Sequence, residues 1–261
     1  MADDLILRSD DGAVAILTLN APERLNALST PMLVALEAAL EAIGPEVRVV
    51  ILRGGARAFS AGHDLHELQG HRRQPDGGAA AYQALFDRCA RVMQKLAALD
   101  QPVIAEVRGV AAAAGCQLAA SCDLVMAAQT ARFGVNGINI GLFCSTPMVA
   151  LTRRIAPSVA LEYLLTGEMI DAARAREIGL ANRVVPDAQL GAATLALARQ
   201  IASKLPVAVA HGKRAFRAAL GQPLERAYQV AGAVMCANLM EPATAEGIQA
   251  FLEKRRPDWA V

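Results

Sequence analysis

Short apolar strands alternate with amphipathic helices along most of the chain, and this alternation limits the possible folds more than any other feature. Residues 14–19 and 47–52 are predicted strands because they are apolar runs that end at turn-forming residues. The helix predicted between them has Pro31 in its first turn and stops at Gly44. Its apolar residues recur at helical spacing and share one face: Met32, Leu36, Leu40 and Ile43.

The same pattern continues along the chain, and after Pro206 only helical patterns remain. The further predicted elements are a helix over 82–97, a strand over 103–107, a helix beginning near 115, a strand over 124–127, a helix over 171–179 capped by Asp171, and a strand at 184–185. The polar, breaker-rich segment 70–78 is predicted to be a surface loop. This order predicts an α/β core over residues 1–200 and a C-terminal helical domain over 201–261.

Composition predicts a globular protein that binds neither nucleic acid nor membranes. The 261 residues are 54% hydrophobic and 20% charged, which permits a large core, and the formal net charge is only +1. No apolar run reaches the roughly 18–20 residues needed to span a bilayer. The first seven residues, MADDLIL, lack the basic and apolar segments of a secretion signal. The five cysteines include no CxxC pair, so we expect reduced thiols and a cytoplasmic location.

Two turns rich in small residues follow predicted strands and are the first candidates for a functional site. FSAGHDLHE (59–67) contains Ser60, Ala61 and Gly62, which let a ligand approach the backbone closely. GVAAAAGCQLAASCD (109–123) leads into a helix whose first N–H groups have no partner within the helix. If the two turns face each other, two backbone donors converge on one oxygen. Such an oxyanion hole suits a thioester whose carbonyl becomes enolate-like.

A third glycine-bearing segment, FGVNGINIGLFCSTP (133–147), is predicted to be a loop that forms a wall of the same pocket. Each of the three segments, taken alone, is compatible with an ordinary tight turn between a strand and a helix. Their occurrence in this order along one chain is far more specific.

Several motifs together resemble the successive signatures of the crotonase (enoyl-CoA hydratase/isomerase) superfamily. They are PERLNAL (22–28), AFSAGHDL (58–65), GCQLA (115–119) with Cys122-Asp123, LTGE (165–168), residues 175–180 and FLEKR (251–255). The match covers nearly the whole chain. The segments AAGCQL, SCD and GLFCSTP are similar to those of one subgroup of the superfamily.

The resemblance implies a spiral of ββα turns with a C-terminal helical oligomerisation domain, assembled as a homotrimer or a dimer of trimers. It also implies an acyl-CoA thioester as ligand, so that coenzyme A is part of the substrate and no separate cofactor is expected. The backbone N–H groups of His63 and Ala114 would form the oxyanion hole, although the second position is commonly Gly in the family. The implied substrate-binding positions are Arg24, near the nucleotide, with Ala61, His63, Asp64, Leu65 and Ala114.

The sequence departs from the family where proton transfer is expected. Hydratases of this family use two glutamates, and the corresponding positions are Gln117 and Gly137. Gln can orient water but cannot cycle a proton as a carboxylate does, and Gly has no side chain. An enoyl-CoA-hydratase-like lyase of fatty acid metabolism is therefore expected without the standard acid–base pair. The alternatives are another acyl-CoA reaction (isomerase, decarboxylase or thioesterase) and a non-catalytic acyl-CoA-binding oligomer. A peptidase is disfavoured because no GxSxG turn is present.

A few other side chains are candidates for chemistry. Cys144, in the altered loop, could face the acyl group or could pack as a small apolar residue. Glu67 or His66 could act as a relocated base, whereas a metal site at this segment is not expected. Lys213 and the basic run 254–256 could bind phosphates or lie on solvated helix faces.

Overall fold

The computed structural model describes residues 4–259. These residues form ten strands: β1 (Ile6–Asp11), β2 (Val14–Leu19), β3 (Val49–Arg53), β4 (Ala58–Ser60), β5 (Val103–Val107), β6 (Val110–Ala112), β7 (Leu124–Ala128), β8 (Arg132–Gly134), β9 (Met169–Asp171) and β10 (Arg183–Val185). They also form eleven α-helices: α1 (Thr30–Glu41), α2 (Leu65–His71), α3 (Ala79–Ala98), α4 (Ala114–Ser121), α5 (Ser145–Leu151), α6 (Pro157–Thr166), α7 (Ala172–Glu177), α8 (Leu190–Ala202), α9 (Pro206–Ala219), α10 (Leu224–Leu239) and α11 (Pro242–Leu252).

Two sheets share the strands in a repeating way. The larger sheet has the order β1-β2-β3-β5-β7-β10 and the smaller sheet the order β4-β6-β8-β9. The consecutive pairs β3–β4, β5–β6 and β7–β8 each give one strand to each sheet and are each followed by helix. Within the larger sheet all neighbours from β2 to β10 are parallel, and only β1 pairs with β2 in the antiparallel sense. This repeated ββα unit confirms the predicted spiral α/β fold.

The central strands are buried because both faces of the larger sheet are covered. All five residues of β5 are buried, as are the first four of β3, which is the pattern of a parallel sheet packed on both faces. Helix α8 packs against β3, β5 and β7. The predicted strands at 14–19, 103–107, 124–127 and 184–185 are confirmed, with ends that differ by at most one residue.

Two predicted loops contain regular structure and were wrong in part. In the predicted loop over 70–78, Gly70 and His71 are the last two residues of α2. Asp64 begins this helix by accepting hydrogen bonds from the N–H groups of His66 (2.9 Å) and Glu67 (3.2 Å). Residues 133–147 include part of β8, a 3₁₀ helix over Asn136–Ile140 and the start of α5.

The C-terminal segment is helical, as predicted, and α9 is fixed to the sheet by a buried ion pair. Lys213 Nζ lies 2.7 Å from Asp123 Oδ2 and donates to the carbonyls of Leu96 (3.2 Å) and Gln101 (2.9 Å). The division into domains at residue 200 stays a prediction, and residues 1–3 and 260–261, which those domains include, lie outside the described part of the chain.

Candidate active site

The first turn of the site follows β4 and is held by the segment before α1. The side chain of Asn26 is buried and donates to the carbonyls of Ala58 (3.0 Å) and Phe59 (3.2 Å). The N–H of Ala61 donates to the carbonyl of Leu25 at 3.0 Å. These bonds fix the path of the backbone just before His63. Sequence reasoning missed Asn26, although its position inside PERLNAL was a signal.

The second turn follows β6 and contains strained backbone at Ala113. This residue has φ 47° and ψ −117°, a conformation that L-residues rarely adopt. Its N–H donates to the carbonyl of Gly134 at 2.8 Å, which ties the turn to β8. Such strain costs on the order of 1–3 kcal/mol and persists where the surroundings determine it. The strained residue directs the chain into α4, whose first residue is Ala114.

The two turns are in contact, and glycines allow the contact. A Cβ atom on Gly62 would lie 3.0 Å from the Ala113 Cβ and 3.1 Å from the Ala114 nitrogen, and Gly62 has φ +94°. A Cβ on Gly115 would collide with the carbonyl oxygen of Ser60 in β4. The start of α4 therefore packs directly on the turn that carries His63.

The backbone N–H groups of His63 and Ala114 are both available as donors. Neither forms a hydrogen bond to another group within residues 4–259. Ala114 is the first residue of α4, where the N–H has no carbonyl partner inside the helix. Two unused donors on touching turns are the arrangement that an oxyanion hole needs. The assignment of this role to His63 and Ala114 stays a prediction.

The His63 imidazole is neutral and has a fixed orientation. Its Nδ1 lies 3.0 Å from the carbonyl oxygen of Leu28, so Nδ1 carries the proton and donates. Burial lowers the pKa of His63 below its usual value, against smaller opposing effects of that hydrogen bond and of the Glu67 charge. The ring packs edge-on against Phe86 at 5.4 Å, and Nε2 is buried without a partner in the described residues.

The predicted coenzyme A positions lie around the start of α2. Arg24 is exposed, and its Nη1 lies 2.7 Å from Oδ2 of the buried Asp64. Asp64 therefore both caps α2 and holds the guanidinium beside the start of that helix. Leu65 is exposed and Ala61 is half-buried beside them. These positions remain predictions for ligand contact.

Gln117 is buried one turn into α4 and keeps a polar atom without a partner. Its side chain is 5% exposed, and Oε1 makes no hydrogen bond with any described residue. Helical side chains lean towards the helix N-terminus, which places this amide over the turn that carries the Ala114 N–H. A buried acceptor left without a partner costs about 1–3 kcal/mol, which marks Gln117 as a site for a ligand or water.

The chain leaves no room for a side chain at Gly137. A Cβ atom there would collide with the backbone carbonyl oxygen of Leu142 and would lie 2.9 Å from Cys144 Sγ. Leu142 is held in place because its N–H donates to the Gly137 carbonyl at 3.0 Å. The segment 142–144 has therefore taken the space into which a side chain at position 137 would project.

The Cys144 thiol is buried and protonated. Burial raises the pKa of Cys144, and the Gly137 N–H directed at the sulfur opposes this only in part. The neighbouring Cys116 is fully buried, and burial raises its pKa to about 12. Neither thiol has the lowered pKa of a nucleophilic cysteine.

Three of the other candidates, Glu67, Lys213 and Arg255, are engaged in contacts away from the two turns. Glu67 Oε2 accepts the Thr30 N–H at 2.9 Å at the start of α1, and Oε1 lies 3.7 Å from His71 Nε2. Lys213 neither lies on a solvated helix face nor is free to bind a phosphate, because its side chain is 7% exposed and forms an ion pair with Asp123. In the basic run, Arg255 forms ion pairs with Glu246 and Glu253, at 2.6 and 2.7 Å.

Comparison with known proteins shows the family. A model described as enoyl-CoA hydratase/isomerase matches residues 9–261, and the chain belongs to that family. It is 40% identical over 261 residues to the zebrafish (Danio rerio) mitochondrial enoyl-CoA hydratase domain-containing protein 3, covering 99% of this chain and 89% of the relative. The predicted subgroup, enoyl-CoA hydratase domain-containing protein 3, is thereby confirmed.

Solved structures agree with this. The structure is similar to an enoyl-CoA hydratase of Mycobacterium smegmatis, with TM-score 0.93, 47% identity and 98% of both chains covered. It is also similar to human enoyl-CoA hydratase domain-containing protein 3, with TM-score 0.92, 40% identity and coverage of 98% of this chain and 100% of the other.

The predicted cytoplasmic location is wrong, because the subgroup relatives from zebrafish, Xenopus laevis and human are named as mitochondrial proteins. The prediction relied on unpaired cysteines, and buried free thiols do not distinguish one compartment from another. None of the helices in residues 4–259 is both long and apolar enough to cross a bilayer. Among the same residues, no three His, Cys, Asp or Glu side chains are grouped as metal ligands.

Proposed function

We propose that this protein is an acyl-CoA-processing enzyme that stabilises a thioester enolate between the backbone N–H groups of His63 and Ala114. The observation that carries the proposal is the pair of unused donors on two touching turns, one of them strained at Ala113. Backbone donors fixed before substrate arrives stabilise developing negative charge without rearranging during the reaction. Family membership supports a coenzyme A thioester as the group they bind.

The standard hydration mechanism is not supported by the residues next to this pair. Water addition by two carboxylates needs ionisable groups at positions 117 and 137, and the chain has an amide and no side chain there. Gln117 can hold a water molecule or an acyl oxygen through hydrogen bonds. We therefore assign the protein to lyase-like enolate chemistry and not to two-carboxylate hydration.

The test compares two alanine variants at glycines with positive φ. Gly62→Ala would crowd the Ala114 nitrogen, whereas Gly77→Ala has φ +68° and nothing within 4 Å, so it imposes similar backbone strain without crowding. Butyryl-CoA labelled with ¹³C at the thioester carbonyl is bound to each folded variant. We expect a downfield carbonyl shift with wild type and Gly77→Ala and its loss with Gly62→Ala. Equal shifts in all three proteins would contradict the proposal.

A second candidate, a non-catalytic acyl-CoA-binding oligomer, is favoured by one observation. The segment 142–144 fills the space next to Gly137, so this part of the pocket offers no ionised group for proton transfer. The two candidates separate on turnover. An enzyme exchanges the α-protons of bound butyryl-CoA with D₂O or converts an acyl-CoA, whereas a binding protein shows calorimetric affinity alone.

We also propose that the chain associates through its C-terminal helices as a homotrimer or a dimer of trimers. Large apolar side chains are exposed along α9–α11: Phe216, Leu220, Leu224, Tyr228, Met235, Leu239, Met240, Ile248, Phe251 and Leu252. Many exposed large apolar side chains in one part of the chain are typical of a protein interface. Sedimentation equilibrium tests the proposal, and a stable monomer at micromolar concentration would contradict it.

A further inference from the structure

We infer that the side chain of His63 is the base of the site, and that its Nε2 removes a proton from the α carbon of the bound acyl group. The inference rests on the proposed function, because it needs the thioester oxygen bound by the N–H groups of His63 and Ala114. It adds the residue that forms the enolate, since the amide at position 117 and the glycine at position 137 are not bases.

The first argument is that Nε2 has a free lone pair on a ring of fixed orientation. Nδ1 donates its proton to the Leu28 carbonyl oxygen at 3.0 Å, so the neutral ring carries no proton on Nε2. Nε2 is buried and forms no hydrogen bond within residues 4–259. The edge-on contact with Phe86 on α3 holds the ring from another side. A buried acceptor without a partner is costly, so Nε2 is suited to a group that a ligand brings.

The second argument is the short reach between the imidazole and the thioester. The imidazole belongs to the same residue as one of the two unused backbone donors. A thioester oxygen that accepts the His63 N–H therefore lies within about one side-chain length of Nε2. The α carbon is separated from that oxygen by the carbonyl carbon alone. Binding of the oxygen at this donor thus brings the α carbon close to the imidazole.

The third argument is that other ionisable side chains around the two turns are occupied or protonated. Asp64 caps α2 and pairs with Arg24. Glu67 accepts a backbone N–H at the start of α1. Burial raises the pKa of Cys144, so this thiol stays protonated at neutral pH. His63, in contrast, has an unprotonated nitrogen without a partner in the described part of the chain.

The proton transfer is balanced within the site. The α C–H bond breaks, its proton goes to Nε2, and its electron pair moves into the thioester, whose oxygen takes the negative charge. The hydrogen bond from Nδ1 to Leu28 and the charge of Glu67 both favour the imidazolium that forms. The reverse step returns a proton from Nε2 to the α carbon. In D₂O the imidazolium exchanges its proton with solvent, so the acyl group recovers a deuteron.

The experiment measures deuterium uptake at the α carbon of butyryl-CoA in D₂O by mass spectrometry, for wild type, His63→Gln and the matched control His66→Gln. Glutamine at position 63 keeps the backbone N–H but is not a base. We expect His63→Gln to take up deuterium at least about a hundredfold more slowly, while the ¹³C shift of the bound thioester carbonyl is unchanged. His66 is exposed on α2, and His66→Gln should keep the wild-type rate.

The pH dependence of the wild-type rate, after subtraction of the rate without protein, is a second test that needs no variant. The ring faces the Leu28 carbonyl and Phe86, and the charge that acts on it is that of Glu67 on α2. Burial outweighs that charge and lowers the pKa of His63 below 6.5, so the rate should be level above pH 7 and fall at lower pH. A rate that rises about tenfold per pH unit from pH 7 to 9 would contradict the inference, because it indicates a thiolate as the base.

The results separate this inference from the proposed function. If wild type shows the downfield carbonyl shift but takes up no deuterium, the inference is overturned and the proposed function stands. The same holds if His63→Gln takes up deuterium at the wild-type rate, or if His66→Gln alone loses the uptake. If wild type shows no downfield carbonyl shift, both are overturned.

Discussion

Replacing Gln117 by methionine should stabilise the protein while impairing its site. Gln117 is 5% exposed, and its Oε1 has no partner in the described residues. A buried polar atom without a hydrogen bond costs about 1–3 kcal/mol. Methionine is also unbranched, fills the same space and has no polar oxygen to satisfy. We therefore expect Gln117→Met to raise the free energy of unfolding by about 1–2 kcal/mol.

The assay is thermal unfolding of wild type and variant without ligand, followed by circular dichroism. For a chain of this size a gain of about 1 kcal/mol corresponds to a rise in Tm of roughly 2–4 °C. The control is Gln101→Met. The Gln101 amide donates a hydrogen bond to the Gly44 carbonyl at 3.2 Å, and losing this bond should lower the free energy of unfolding by about 0.5–1.5 kcal/mol.

The stability change must be accompanied by a functional loss if Gln117 contacts the acyl group. We expect Gln117→Met to bind butyryl-CoA more weakly than wild type while its Tm rises. A variant with an unchanged or lowered Tm would refute the reasoning, because it would mean that Oε1 has a partner in the free protein.

Three further outcomes follow from the structure. Ala113→Gly should raise the free energy of unfolding, measured by urea titration, by about 1 kcal/mol, because glycine adopts φ 47° without strain. A variant less stable than wild type would contradict this prediction. Burial lowers the pKa of His63 in the folded state, so the unfolded chain binds the proton first as the pH falls below 6.5. The Tm should therefore drop more between pH 7.5 and 5 in wild type than in His63→Gln. Equal drops in Tm for the two proteins would contradict this prediction. Lys213→Met should lower the free energy of unfolding by about 3 kcal/mol, because it breaks the buried ion pair with Asp123. The neighbouring Arg214 is exposed, so Arg214→Met should change the free energy of unfolding by under about 1 kcal/mol. Similar losses of stability in the two variants would contradict the prediction.

The sequence predicted the parts of the fold that depend on local pattern. The strand β5 is an apolar run bounded by Pro102 and Gly109, and its predicted limits match those observed. Helix α7 begins at the predicted cap, where Asp171 accepts the Arg174 N–H at 2.8 Å.

The segment 133–147 could not be predicted in the same way, because distant contacts determine its structure. Gly134 pairs with Ala112 in one strand and with Met169 in another, and both partners are far away in sequence. The 3₁₀ helix that follows is too short for its periodicity to stand out.

The candidate site shows the same division. The motifs located the two turns, because small residues after strands are visible in the sequence. The collision of a Gly137 side chain with the Leu142 carbonyl, the strain at Ala113 and the unpartnered Gln117 oxygen are three-dimensional facts. The strain at Ala113 and the unpartnered Gln117 oxygen are costly for folding and lie four residues apart, which is typical of a functional site.

The most direct measurement is a co-crystal structure with a non-hydrolysable acyl-CoA analogue that keeps the carbonyl group. The account predicts that the carbonyl oxygen lies about 2.7–3.1 Å from the backbone nitrogens of both His63 and Ala114. A carbonyl oxygen bound anywhere else in the protein would contradict it.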